Sequence, residues 1–204
     1  MEQKKKNTIN KPIFNNIWLN PTKYLPLLCG ENNWSFFRYI LSDYYDNLYG
    51  NIIQFGAGSS SGLWSYILSN LTNELTIIDY SQPMLDIVKK TLTLNKAHNN
   101  INSICQRMET YTDLLNADYI LYTFCMSFSN IAETVKNLTN NTQKGCVIII
   151  METSKPIMKS NHVWANNLLL IQPTFESYDT SWILIDSYST ATIEPIIVYV
   201  YQRI

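Results

Sequence analysis

The chain has 204 residues, 46% of them apolar and only 15% charged, which suits one compact domain with a sizeable core rather than a disordered chain. Fifteen Lys and Arg balance sixteen Asp and Glu, so there is neither a basic footprint for nucleic acid nor an acidic tail. The run Lys4-Lys5-Lys6 leads into no apolar signal segment, and no apolar stretch approaches the ~20 residues that span a bilayer, so neither secretion nor membrane insertion is expected.

Residues up to about 30 are polar, are punctuated by Pro12, Pro21 and Pro26, and read as an irregular lead-in. From Trp34 to Leu48, aromatic and apolar residues recur at three- and four-residue spacing, which predicts an amphipathic helix with an aromatic face. A short strand over Ile52 to Phe55 follows, then Gly56-Ala57-Gly58 and three serines, then a helix over Ser61 to Asn70. Leu75 to Asp79 predicts a second strand, and Gln82 to about Asn95 a helix with Pro83 in its first turn, where proline is tolerated. Strands are expected over Ile101 to Gln106 and Asp118 to Phe124, a helix over Ile131 to Leu138, and the most apolar strand at "CVIIIME" after Gly145.

Short buried strands alternating with helices imply an α/β fold, a parallel sheet with helices on both faces. The end of the chain departs from this. Ser181 to Ser189 and Pro195 to Arg203 are both β-rich and too close for a parallel crossover, so they form an antiparallel hairpin and the sheet is mixed. The chain thus reads as a helical lead-in or lid over residues 1–50 and a main domain over 51–204, single-domain overall. Cys29, Cys105, Cys125 and Cys146 form no Cys-x-x-Cys pair; three lie in strand-like runs and are expected as reduced, buried thiols of a cytoplasmic protein.

A strand broken by its smallest residues and restarted as a helix reads either as a simple turn or as the backbone of an anion or nucleotide site. The glycines admit close approach, and the helix start offers free N–H groups and the positive dipole end. Asp79, 23 residues beyond Gly56, ends the second strand, where a carboxylate can accept both hydroxyls of a ribose.

From about Ile52 to Glu152 the sequence resembles the class I S-adenosylmethionine (SAM)-dependent methyltransferases. "IIQFGAGSSSG" resembles their glycine motif and "IIDYSQPMLDIVKK" their second motif, which is the most specific match. "ADYILYTFCMSF" sits where the fourth strand reaches the methyl donor, "KGCVIIIMET" resembles the fifth strand with its glycine turn, and the terminal hairpin matches the family's reversed last strand. The resemblance implies a Rossmann-like, doubly wound, mostly parallel seven-stranded sheet with a reversed C-terminal strand. It implies SAM as cofactor, held by Gly56, Ala57, Gly58 and Ser59, by Asp79 on the ribose, and by Tyr80, Met84, Arg107, Met108, Glu109, Thr123 and Phe124. Three places depart from the family: Gln54 stands where it usually has an acid, Ser60 replaces its third glycine, and Gln106-Arg107-Met108-Glu109 follows the third strand where an acidic residue often contacts the adenine.

Methyl transfer from a sulfonium is an in-line displacement governed by proximity, so no catalytic residue is assigned. His98 reads as an exposed loop residue, and no His, Cys and Asp cluster has metal spacing. Substrate contacts are expected from Tyr44 and Tyr45 on the aromatic helix, from His162 beyond the fifth strand and from Tyr178; the aromatics read equally as rings that pack the lid on the sheet. Only about thirty residues separate the fifth strand from the hairpin, which leaves little room for a substrate-binding insertion and favours a small molecule. Alternatives are an enzyme that uses SAM's aminocarboxypropyl arm and releases methylthioadenosine, a SAM-binding partner without turnover, and a nicotinamide reductase, against which the hairpin argues.

Overall fold

The computed structural model describes residues 48–57, 65, 68, 69, 72, 74–97, 100–153, 162–189 and 196–204, with the backbone alone for 162–165. The lead-in helix expected over Trp34 to Leu48 lies outside the described residues except for its last, Leu48, which is buried. Of the helix expected over 61–70, residues 65, 68 and 69 are described, and all three are helical.

Seven strands form one sheet: β1 (Asn51–Phe55), β2 (Glu74–Asp79), β3 (Asn100–Cys105), β4 (Tyr119–Thr123), β5 (Val147–Thr153), β6 (Trp182–Ser189) and β7 (Ile196–Arg203). Their spatial order is β3-β2-β1-β4-β5-β7-β6. The first five run parallel, while β7 pairs antiparallel with both β5 and β6. Each strand begins and ends within two residues of its expected bounds, because short β-branched runs between polar turns leave little latitude.

Among the described residues, besides helical residues 65, 68 and 69, the α-helices are α1 (Gln82–Leu94), α2 (Ile131–Asn141) and α3 (His162–Glu176). Pleat alternation divides the apolar residues into two cores. On one face Ile52, Leu75, Ile77, Leu121, Ile149 and Met151 pack with Met84, Leu85, Val88 and Leu92 of α1. On the other, Phe55, Ile120, Tyr122, Ile148 and Ile150 meet Val135 and Leu138 of α2 and Leu168, Ile171 and Phe175 of α3. The sheet is therefore doubly wound, with helices on both faces.

One feature differs from expectation: Cys105 is exposed rather than buried, because β3 is the outermost strand with little to cover it. Helix α3 lies in the connection before the hairpin, to which the sequence assigns no element.

The chain builds outward from β1 to β2 and β3, then returns to lay β4 on β1's other side. That reversal opens a crevice beyond the C-terminal ends of β1 and β4, the place where open α/β sheets bind ligands.

Candidate functional site

Four backbone segments converge at this crevice. At the end of β1 the Gly56 N–H donates to the Ile78 carbonyl at 3.0 Å, which holds the turn beside the end of β2. Gly56 has φ +78°, and a Cβ there would stand 2.6 Å from both Cβ and Sγ of Cys125 and 3.0 Å from the Thr123 carbonyl oxygen. Only glycine fits, on both backbone and steric grounds. Ala57 follows it, fully buried in the core beneath the turn. Gly58 and Ser59, the rest of the expected loop, lie outside the described residues.

Asp79 closes β2, and one of its carboxylate oxygens accepts the Ser81 N–H at 2.9 Å, which fixes its rotamer at the start of α1. Ser81 caps that helix with extended backbone, and Pro83 sits in its first turn. Burial, with the Asp79 charge as second cause, pushes the neighbouring Tyr80 phenol well above its ordinary range, so it stays protonated. Met84 turns away from the edge and is buried in the α1 core with Leu85 and Val88.

Beyond β3, Gln106 N–H bonds to the Asp79 carbonyl at 3.0 Å, which draws the following turn of Met108–Thr110 toward β2. Arg107 is mostly exposed, with its Nε 3.5 Å from Glu109 Oε2. The other Glu109 oxygen accepts the Asn130 N–H at 3.2 Å, so this side chain ties the turn to the start of α2.

The end of β4 is the most constrained part. Thr123 is buried, and its hydroxyl lies 2.6 Å from the Gly56 carbonyl and 3.0 Å from that of Phe55. Phe124 has φ +55°, a left-handed conformation that costs a non-glycine residue about 1 kcal/mol or more. Its buried ring and the 2.9 Å bond from its N–H to the Met151 carbonyl hold it there. The kink delivers Cys125 against Gly56, where burial keeps the thiol protonated.

One residue here has no counterpart among the expected contacts. Glu152, next to last in β5, is fully buried; Ser127 donates to it twice, N–H to Oε1 at 3.0 Å and Oγ–H to Oε2 at 2.8 Å. Burial raises its carboxyl to about 7, and these donors only partly offset that cost. Asn167 of α3 in turn donates to the Ser127 and Ser129 carbonyls, both at 2.9 Å, so the turn after β4 is fastened from β5 and from α3. The available signal was a lone acid late in an apolar strand, one residue before the end of β5, as Asp79 is the last of β2.

The structure thus brings Gly56, Ala57, Asp79, Tyr80, Arg107, Met108, Glu109, Thr123 and Phe124 to one edge, with Met84 beneath it. It does not bring Tyr178 there, and that expectation is corrected. Tyr178 lies in the turn between α3 and β6, and β6 begins at Trp182 opposite Arg203, whose carbonyl accepts the Gly145 N–H just before β5 starts. This is the opposite edge of the sheet. His162 opens α3, with its side chain outside the described residues, as are Tyr44 and Tyr45.

No protein-family model matches the sequence, and no curated protein matches it. Solved structures do. The N-methyltransferase NodS from Bradyrhizobium japonicum WM9, solved with S-adenosyl-L-homocysteine (SAH), is 11% identical, with a TM-score of 0.61 over 90% of this chain and 98% of that one. The [4+2]-cyclase SpnF is 7% identical, with a TM-score of 0.68 over 85% and 82% of the two chains. An rRNA methylase from Streptococcus thermophilus is 11% identical, with a TM-score of 0.58 over 81% and 95%. Together with the seven-stranded order and reversed β7, these likenesses establish the fold as that of the class I SAM-dependent methyltransferases.

Proposed function

We propose that the protein binds SAM at the β1–β4 crevice and transfers its methyl group to a small molecule. The observation that carries this reading is the placement of Asp79 beside Gly56. A carboxylate at the end of β2, one strand away from a glycine turn, matches the spacing of a ribose from the groups that follow it in a nucleoside cofactor. SAH bound to NodS, on the same fold, supports the choice of cofactor.

SAM supplies a methyl group on a sulfonium; a lone pair on the acceptor forms the new bond to carbon as the sulfur–carbon bond breaks, leaving SAH. The chain's part is alignment and exclusion of water. Asp79 accepts from the ribose hydroxyls, with Tyr80 beside it as a neutral wall. Gly56 and Ala57, with Gly58 and Ser59 proposed to continue the loop, offer backbone to the cofactor. Phe124, turned by its left-handed backbone, lines the crevice floor between β4 and β1, while Arg107, Met108 and Glu109 border the base side. Tyr44, Tyr45 and His162 remain the proposed substrate contacts.

A small-molecule substrate is favoured by the net charge of −1 and by α3, which fills the β5–β6 connection instead of leaving an insertion for a large substrate. The proposed location is the cytoplasm, as expected from the sequence; among the described residues no helix is long and apolar enough to cross a membrane. The deciding experiment is incubation with SAM and a metabolite pool, followed by identification of the released nucleoside. SAH supports methyl transfer. Methylthioadenosine would show use of the amino acid arm, and neither product, despite binding, would make the protein a non-catalytic SAM-binding module. Labelled methyl on RNA would overturn the small-molecule assignment.

A further inference from the structure

Gln54 occupies the penultimate place in β1, is fully buried, and stands where the resemblance leads one to expect an acid. Both ends of its amide are used. Its Oε1 accepts the Ser65 hydroxyl at 2.7 Å, and its Nε2 donates to Thr123 Oγ1 over a longer 3.4 Å. Thr123 has a single hydroxyl proton, and its nearest acceptor is the Gly56 carbonyl at 2.6 Å. The chain of contacts therefore runs from the helix that follows the glycine loop, through Gln54 and Thr123, to the backbone of the loop's first glycine.

A carboxylate at this position would change the direction of these bonds. An ionised acid accepts and cannot donate, so it would draw the Thr123 proton toward itself and release the Gly56 carbonyl. An amide has a donor of its own, which leaves the threonine proton for the glycine turn. We propose that Gln54 is a positioning residue which, by donating to Thr123, sets the Gly56 carbonyl and with it the turn against which the cofactor lies. The glutamine and the threonine form one device, and this inference rests on the cofactor reading given above. Among the described residues, the ionisable groups on Gln54's face of the flanking strands are Asp79 at the end of β2 and Tyr119 on β4, with the Cys125 thiol beyond β4; Glu74 of β2 and Tyr122 of β4 alternate to the other face.

The test is SAH binding by calorimetry from about pH 6 to about pH 8.5, each variant expressed as a ratio to wild type so that titration of the ligand and of these groups cancels. Gln54→Glu should bind within a few fold of wild type at the acid end, where the protonated carboxyl still donates, and weaken about tenfold as it ionises. Thr123→Val should lose about tenfold at every pH, and Thr123→Ser, which keeps the hydroxyl, should restore binding. A constant ratio for Gln54→Glu across the range, or wild-type affinity in a folded Thr123→Val protein, overturns the inference. If Gln54→Glu does not fold, the Thr123 pair decides alone. Wild-type protein that fails to bind SAH overturns the cofactor reading itself, a result separate from either variant outcome.

Discussion

Replacing Glu152 by glutamine should change how stability depends on pH. In the fold the carboxyl titrates at about 7, against 4.5 for an ordinary glutamic acid, because burial penalises its charge more than Ser127 and the Met126 N–H can offset. That gap of roughly 2.5 pH units, at about 1.4 kcal/mol each, is about 3 kcal/mol carried by the ionised form. The folded state binds this proton more tightly than the unfolded state does. Its contribution is therefore fully present below pH 4.5, is lost progressively up to about pH 7, and is flat above. Glutamine keeps an acceptor for the Ser127 N–H and has no such proton to lose. Urea unfolding of both proteins at steps from about pH 4.5 to about pH 8 gives two curves, and subtraction removes every other titrating group. Wild-type stability minus that of Glu152→Gln should fall by about 3 kcal/mol over the range. A difference that stays constant would mean that Glu152 titrates like an exposed acid and that the buried arrangement with Ser127 is wrong.

Three further outcomes are expected. Asp79→Ala should weaken SAH binding by roughly 1–3 kcal/mol in calorimetry, whereas Asp79→Asn keeps an acceptor for Ser81 and separates loss of ribose contact from damage to α1. Gly56→Ala should cost roughly 2 kcal/mol or more in a thermal melt, since the new Cβ meets Cys125 at 2.6 Å on a backbone with φ +78°. In the native protein at neutral pH, iodoacetamide should modify exposed Cys105 ahead of half-buried Cys125, whose thiol is pushed well up by desolvation, and of buried Cys146, whose thiol is pushed up to about 12; these two should resist until the chain is unfolded, as read by mass spectrometry of the peptides.

The strands were legible because each is a short apolar run cut off by polar or glycine-bearing turns, and the hairpin because its connection is too short for a crossover. Helix α3 was not, and its own residues explain why. Its buried positions Leu168, Ile171 and Phe175 have helical spacing, but exposed Leu169 and Leu170 fill the gap between them, and Pro173 interrupts the end. Asp79 and the glycine turn could be read from local order alone, because a strand, a loop and an acid follow one another along the chain. Tyr178 could not be placed that way: which edge its turn occupies depends on the direction of β6, a property of the assembled sheet. Glu152 and Gln54 raise a related difficulty. Each is a single polar residue in an apolar strand, and its role comes from Ser127, Ser65 or Thr123, partners remote in the chain that only folding brings near.

The sheet order bears on the sequence of events by which the molecule is made. β7 is the last strand along the chain, yet it lies inside the sheet, between β5 and β6. As synthesis proceeds, β5, the run "VIIIMET" ending at Thr153, can bond to β4 on one side while its other side stays open until β7, beginning at Ile196, has emerged. In that interval the available strand is β6, which carries the exposed run Ile183-Leu184-Ile185 and could dock on β5 in the place that belongs to β7. A hairpin that closes on itself before it meets the sheet avoids that mispairing, and a nascent chain halted between the two strands is expected to be the form most prone to aggregate.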